Sequence, residues 1–411
     1  MRPLVSLSLA AFTAFGCAAE PADHEHLEGP IEGLSHEQTR AFVLGDQAFE
    51  RFFTPAEGLG PRFNEASCQS CHAGDGAGHP KTIFLRFGRL DENGFDPLLA
   101  FGGPQLQDRA IVGYEPESLP EQANVTAGLI GNPVTGLGLL EAVDDATILA
   151  LADPDDEDGD GISGRPQWIA ATDQTQRIAA RDLAAMPSNT RLQLHDGHYL
   201  GRFGRKASAI SLLHQTVTAL SQDMGLTTEF APDQLVSPGD SGFPVGDGPR
   251  IEIGANTLNA LTFYLKTLRP PVRRNADHPT VLRGEKVFED IGCTSCHVPT
   301  LKTGTSSIAA LHQVTFHPYT DLLLHDMGDE LNDGYTEGTA APSEWRTSPL
   351  WGLGLRADAQ GGKMFFLHDG RATSIEETIE YHGGEGATSR ANYRQLEATD
   401  RQALEAFLMS L

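Results

Sequence analysis

Cys68-Gln-Ser-Cys71-His72 and Cys293-Thr-Ser-Cys296-His297 are two copies of one short pattern. Cys-x-x-Cys-His is the attachment sequence of c-type haem. Two thiols reach the two vinyl groups of one porphyrin, and the adjacent imidazole swings under the iron. Other uses of paired cysteines compete. A four-cysteine zinc site needs both pairs but no His after each. A redox-active dithiol belongs in a thioredoxin-like βαβ context, of which the sequence has no sign. Chance yields on the order of 0.002 such motifs in 411 residues with 5 Cys and 15 His. The pattern therefore predicts two covalently bound haem c groups, attached through Cys68, Cys71, Cys293 and Cys296. His72 and His297 are their expected iron ligands.

The two halves repeat more than this motif. Gly45-Asp-Gln-Ala-Phe49-Glu50 precedes the first cysteines and Gly284-Glu-Lys-Val-Phe288-Glu289 the second. Gly-Leu-Gly-Leu follows Pro133 at 136–139 and Pro349 at 352–355. Leu-His-Asp-Gly recurs at 194–197 and 367–370. Each half closes on a similar helix, Ala260–Leu268 and Ala403–Leu411. In the second, Leu404, Phe407, Leu408 and Leu411 form one apolar stripe, and Thr399 with Gln402 reads as a capping box. In the first, Asn256 reads as the N-cap, and Arg269-Pro270-Pro271 stops the helix. Period-2 alternation is scarce. The expected fold is mainly α: two cytochrome c-like haem domains with long loops and little strand. Their expected ranges are 35–270, enlarged by insertions, and 271–411.

Composition fits that reading. Aromatics are only 7% of the chain, while Gly numbers 44 and Pro 25. Porphyrins supply apolar bulk that the side chains lack, and wrapping loops need Gly and Pro. With 39% hydrophobic and 21% charged residues the chain is not a disordered one. Its 56 acids against 30 Lys and Arg give a net charge of −26, which repels phosphate backbones and excludes nucleic acid as a partner.

Residues 1–19 read as an export leader, with Arg2 followed by an uncharged run from Leu4 to Phe15. That run is too short to span a bilayer. Ala14-Phe15-Gly16-Cys17 resembles a lipoprotein box in which Cys17 is lipidated, although Phe15 is bulky for it. The alternative is an ordinary cleaved signal. Residues 20–34 read as a linker. The expected location is the periplasm, with membrane contact only through a lipid anchor in the outer membrane.

Asp223-Met-Gly, Leu324-His-Asp-Met-Gly328, Pro349-Leu-Trp-Gly-Leu-Gly354 and Leu367-His-Asp-Gly-Arg-Ala372 complete the set. With both haem motifs, the chain from about residue 35 resembles the bacterial di-haem oxidoreductases. This thiol-oxidoreductase-like family is related to the di-haem cytochrome c peroxidases. The resemblance implies a distal iron ligand one helix beyond Leu367-His-Asp-Gly, a place that falls on His382. Relatives carry Met or Tyr there, and Met327 and Met364 are rivals. Laying Gly204–Ile210 on Gly370–Ile375 puts Val217, or Thr216 without slack, at the equivalent place. Neither is an iron ligand, so the N-terminal haem is expected to keep an open face. The resemblance also implies a Gln and an acid beside that haem. Gln215 and Asp223 match them, with Asp223 as the acid-base group. Met224 is the alternative, as a closing ligand.

Asp153–Gly164 holds six acids in its first eight residues. Asp156, Asp158 and Asp160 with Gly161 match the first half of a calcium loop, but position 12 is Gln167, not Glu. A bound Ca2+ is the expectation, a solvated acidic loop the alternative. His24, His26 and His36 read as solvated linker residues. His195, His198, His325 and His368 are candidates for hydrogen bonds to haem propionates, and Arg205, Arg346 and Arg371 for ion pairs with them.

Three functional readings stand. One is an enzyme that takes electrons from a small redox protein, a cytochrome or cupredoxin, and passes them to hydrogen peroxide or another small oxidant. Another is a non-catalytic carrier with both irons closed. The last is a redox partner of another envelope protein. A thiol oxidoreductase acting through its own cysteines is disfavoured, because thioether bonds would consume the four cysteines other than Cys17.

Overall fold

The computed structural model describes residues 27–185, 191–235 and 251–411; the leader, Cys17, His24 and His26 lie outside them. Helix makes up 37% and strand 14%, so the fold is mainly α, as expected. The first half carries α1 (His36–Glu50), α2 (Cys68–Cys71), α3 (Leu137–Glu141), α4 (Asp145–Leu149), α5 (Asp173–Ala185), α6 (Leu212–Gln222) and α7 (Ala255–Thr267). The second carries α8 (Pro279–Asp290), α9 (Arg356–Ala359), α10 (Ile375–Glu380), α11 (Ala387–Arg394) and α12 (Ala398–Leu408).

The sequence repeat is a repeat of packing. α1 packs on α7, and α8 packs on α12. A Cβ on Gly45 would stand 2.2 Å from the Ala260 carbonyl oxygen, and one on Gly284 1.9 Å from that of Ala403. No side chain fits at either crossing. The loop glycines repeat as well: a Cβ on Gly138 would meet Lys266 O at 1.8 Å, and one on Gly354 would meet Met409 O at 2.1 Å. Phe49 lies 5.3 Å from the Tyr264 ring, and Phe288 lies 5.3 Å from the Phe407 ring.

Helix ends differ from expectation in two places. The stripe Leu404, Phe407, Leu408 and Leu411 is buried, but α12 starts at Ala398 and its N-cap Glu397 makes no side-chain cap. The Thr399–Gln402 box therefore does not form, since Thr399 is already inside the helix. Likewise Gly254, not Asn256, is the N-cap of α7. One sheet was not foreseen. Strand Phe84–Asp91 pairs antiparallel with Gly94–Asp96, Gln105–Leu106 and Val125–Leu129. Its residues alternate poorly in polarity, and its partners come from separate loops.

The larger apolar core spans the first half and takes Leu301, Phe316 and Trp351 from the second. The smaller one joins α8, α10 and α12. No described helix is long and apolar enough to cross a membrane.

Charge is also buried in the first half. Lys266 Nζ donates to Asp182 Oδ1 at 2.8 Å and pairs with Glu141 at 3.2 Å. Arg191 pairs with Glu141 at 3.5 Å, and Arg202 pairs with Asp145. Burial raises the Glu141 carboxyl, but Lys266 and Arg191 overcome that and hold it below the usual range. Removing one partner strands the others. Lys266→Met is expected to destabilise the fold by about 3–5 kcal/mol, read as a lower urea midpoint at unchanged slope.

Candidate functional site

The first cleft is built around α2. Ser67 caps this turn, its Oγ accepting from Ser70 N at 3.1 Å, and His72 N donates to Cys68 O at 3.0 Å. That turn places Cys68, Cys71 and His72 on one cleft wall. The His72 ring lies 6.2 Å from Phe49, and Gly131 leaves room beside it. α6 and the two residues after it supply another wall with Gln215, Thr216, Ala219, Asp223 and Met224. The cleft encloses about 2200 Å³ of atom-free space including its mouth.

The second cleft encloses about 1500 Å³ on the same basis, lined by Cys293, Cys296, His297, Met327 and His382. His297 again lies 6.2 Å from a phenylalanine, Phe288. Its Nδ1 donates to Tyr319 O at 3.0 Å, and His382 Nδ1 donates to Thr378 O at 2.9 Å. A carbonyl only accepts, so both Nε2 atoms keep a free lone pair. Burial pushes His297 down to about 4 and His382 below its ordinary value, leaving both neutral and able to bind a metal. Met364 does not line this cleft; it packs in the smaller core.

The register between halves differs from the sequence-based alignment. Isolated bridges join Phe203 to Ala209 and Phe366 to Ala372. Ser211 caps α6 and Ser374 caps α10. Positive φ falls at Gly204 and Ala207 in one half and at Leu367 and Gly370 in the other. Phe203–Leu212 thus matches Phe366–Ile375 without slack, and Arg205 matches His368. Eight residues beyond each cap stand Ala219 and His382. Val217 is fully buried in the core and does not line the cleft, so its assignment is corrected to Ala219. Gly204-Arg205 and Gly370-Arg371 share letters but not a place in this register; His195 lines neither cleft, whereas His368 lines the second.

Asp223 ends α6, where its backbone N donates to Ala219 O at 2.9 Å. Its Oδ1 accepts from Gln105 Nε2 at 2.6 Å. Gln105 Nε2 also donates to Asn64 Oδ1 at 2.7 Å. Burial pushes the Asp223 carboxyl up, against smaller opposing effects of Gln105 and Arg86. Arg86 lines the cleft and bonds Gln222 Oε1 at 2.5 Å. Arg86 and Gln105 come from the unforeseen sheet, and no motif marks them.

His325 lines the second cleft between two acids, with Nε2 2.8 Å from Asp321 Oδ2 and Nδ1 2.7 Å from Glu385 Oε2. Burial lowers it, but Asp321, Cys296 and Glu385 overcome that and hold it at about 12. Its ring nitrogens are thus committed. Burial pushes the Cys68, Cys71 and Cys293 thiols up to about 12, so none is a thiolate nucleophile.

In the acidic loop the carboxylates of Asp153, Asp156 and Asp158 lie within 4.8 Å of one another. Asp160 is not among them; its Oδ1 accepts from Ile162 N at 2.8 Å. Gln167 is turned away, donating to Glu337 O at 2.5 Å. The trio Asp156, Asp158 and Asp160 is therefore corrected to Asp153, Asp156 and Asp158. Ser163 Oγ donates to Glu385 Oε1 at 2.6 Å, which docks the loop beside the second cleft.

Two matched clefts, each with two cysteines and a histidine, are what a di-haem protein requires. A sequence profile described as "di-haem oxidoreductase, putative peroxidase" matches residues 115–411. The chain belongs to this di-haem oxidoreductase family. The match starts after the first Cys-x-x-Cys-His, so it is shorter than the resemblance from residue 35. No curated protein matches the sequence. Among solved structures, hydrazine synthase of Kuenenia stuttgartiensis is 15% identical, with 100% of both chains covered and a TM-score of 0.39. A MauG-like protein associated with microbial copper homeostasis is 14% identical, with 96% of this chain and 95% of that one covered and a TM-score of 0.38. Membership makes the chain a haem-dependent oxidoreductase.

The cleft residues fit haem. Each cleft offers two half-buried thiols beside an imidazole, and Arg205, Arg346 and Arg356 stand ready for carboxylates. Arg371 does not line either cleft and is paired with Asp369 at 2.7 Å.

Proposed function

We propose that this oxidoreductase reduces hydrogen peroxide in the first cleft, with electrons received at the second. Covalent haem c attached at Cys68 and Cys71, and at Cys293 and Cys296, supplies the redox chemistry. The asymmetry between His382 and Ala219 carries the reading. His297 and His382 both line the second cleft, each with a free Nε2, which suits a relay. At the matching place in the first cleft Ala219 offers only a methyl; His72 would hold the iron there, with room at Ala219 for a small oxidant. Asp223 takes a proton from one peroxide oxygen and returns it to the other, and Gln215 orients the molecule. Two electrons and two protons convert peroxide to two waters, and the electrons come from a small cytochrome or cupredoxin.

In this proposal 35–270 and 271–411 are two cytochrome c-like domains, a division that the repeated helix crossings support. Cys17 anchors the protein to the outer membrane on the periplasmic side. Met224 lines the first cleft, which favours a second reading: a carrier in which it closes that iron.

Electron paramagnetic resonance of the diferric protein separates the two. One low-spin and one high-spin signal are expected, and His382→Ala is expected to turn the low-spin signal high-spin. Two low-spin signals, with no peroxide turnover by a reduced cytochrome, overturn the enzyme reading.

The acidic loop completes the proposal as a Ca2+ site. Gly159 and Gly161 turn the backbone at positive φ, so three carboxylates face one point. Calcium at a hundred times its dissociation constant is expected to stabilise the fold by about 2.7 kcal/mol. Asp156→Asn is expected to remove most of that gain, read by thermal unfolding with and without chelator.

A further inference from the structure

The two clefts share a wall. Arg205, Arg346, Ser348, Pro349 and Arg356 line both. Arg205 donates to Ile130 O at 2.9 Å and Gly131 O at 3.2 Å. Arg346 donates to Gly204 O at 3.0 Å, and Arg356 donates to Phe365 O at 2.8 Å. Among the described residues none of the three has an acidic partner within ion-pair distance. Elsewhere the chain pairs its buried cations, as at Arg202–Asp145 and Lys266–Asp182. Burial pushes Arg205 down to about 9, helped by Arg356 and Arg346, and Arg346 and Arg356 down to about 10. Beside them Thr347 Oγ1 is buried with no hydrogen-bond partner.

A chain with 56 acids thus leaves three clustered guanidiniums without a carboxylate in ion-pair contact, with Asp369 and Asp321 acting on Arg205 and Arg346 only from further off. An unpaired charge in a closed cleft is costly, more so for the buried Arg346 than for the half-buried Arg205 and Arg356, so the compensating anions are those a ligand brings. Guanidinium forks match carboxylates, and haem carries carboxylates as its propionates.

We propose that Arg205, Arg346 and Arg356 form one seam that holds propionates of the haems in both clefts and couples the two redox centres electrostatically. This rests on the reading that haem fills both clefts. A positive charge near a haem favours the reduced iron, so a shared arginine acts on both reduction equilibria.

The test is spectroelectrochemical titration of the holoprotein. Arg356→Gln and Arg346→Gln are compared with wild type and with Arg371→Gln, whose guanidinium is already paired. At a fixed ambient potential, each seam variant is expected to raise the oxidised-to-reduced ratio of both haems by about threefold or more. Arg371→Gln is expected to leave the first-cleft haem unchanged. Arg356→Lys keeps the charge but loses the fork, and is expected to fall between wild type and Gln at both haems. It also serves as the readout if the Gln variants fail to mature. A shift confined to one haem, or no shift, overturns the shared seam while leaving peroxide reduction intact. Fewer than two haems per wild-type chain by mass spectrometry overturns the underlying reading and the seam with it.

Discussion

Asp223→Asn is expected to lower peroxide turnover by about 10²–10⁴-fold while leaving the haem spectra unchanged. The substitution keeps shape and removes only the proton acceptor. Asp223 sits where such a group is needed, at the end of α6 and on the first cleft. Burial raises its carboxyl, so its base form is reached above the ordinary Asp value of ~3.9. Turnover of the wild type is therefore expected to fall as pH drops through that raised value. In Asp223→Asn this limb disappears. Gln105→Leu removes a hydrogen bond that favours the ionised carboxylate, so the limb is expected to move to higher pH. Stopped-flow rates across pH on the wild type and both variants check these outcomes. An Asn variant that keeps turnover within about threefold of wild type assigns the proton transfer to another group.

Cys68→Ser with Cys71→Ser is expected to abolish peroxide turnover and to leave one haem per chain by mass spectrometry. The low-spin signal assigned to His297 and His382 is expected to persist. The reason is local: Gln215 and Asp223 line the first cleft and not the second. The crossings at Gly45 and Gly284 belong to separate helix pairs, so each half keeps its own frame when one cleft is emptied. Turnover that survives in the double variant places the reaction at the second cleft and reverses the direction of electron flow.

Much of this site was legible because the proposed attachment is local. A thioether link needs both cysteines and the histidine within five residues, so the haem motifs are contiguous. Helix crossings leave glycines at fixed spacing, and Gly45 and Gly284 showed them. His382 lay one helix beyond a motif, and the structure places it in the cleft of His297. Its counterpart was misplaced because Gly204-Arg205 and Gly370-Arg371 share letters but not a backbone position: Gly204 matches Leu367, and Ala207 matches Gly370. Cap and φ positions set the true register, and these are invisible in residue identity.

What the sequence by itself determined is the pattern carried by short segments: two Cys-x-x-Cys-His motifs, the helical repeat and an acidic loop. Only the tertiary structure decided what meets across long separations. Gln105 reaches Asp223, Ser163 reaches Glu385, and three arginines from two halves meet between the clefts. The physical reason is range. Covalent attachment and helix periodicity act over a few residues, whereas burial and unpaired charge depend on which distant segments close over a group.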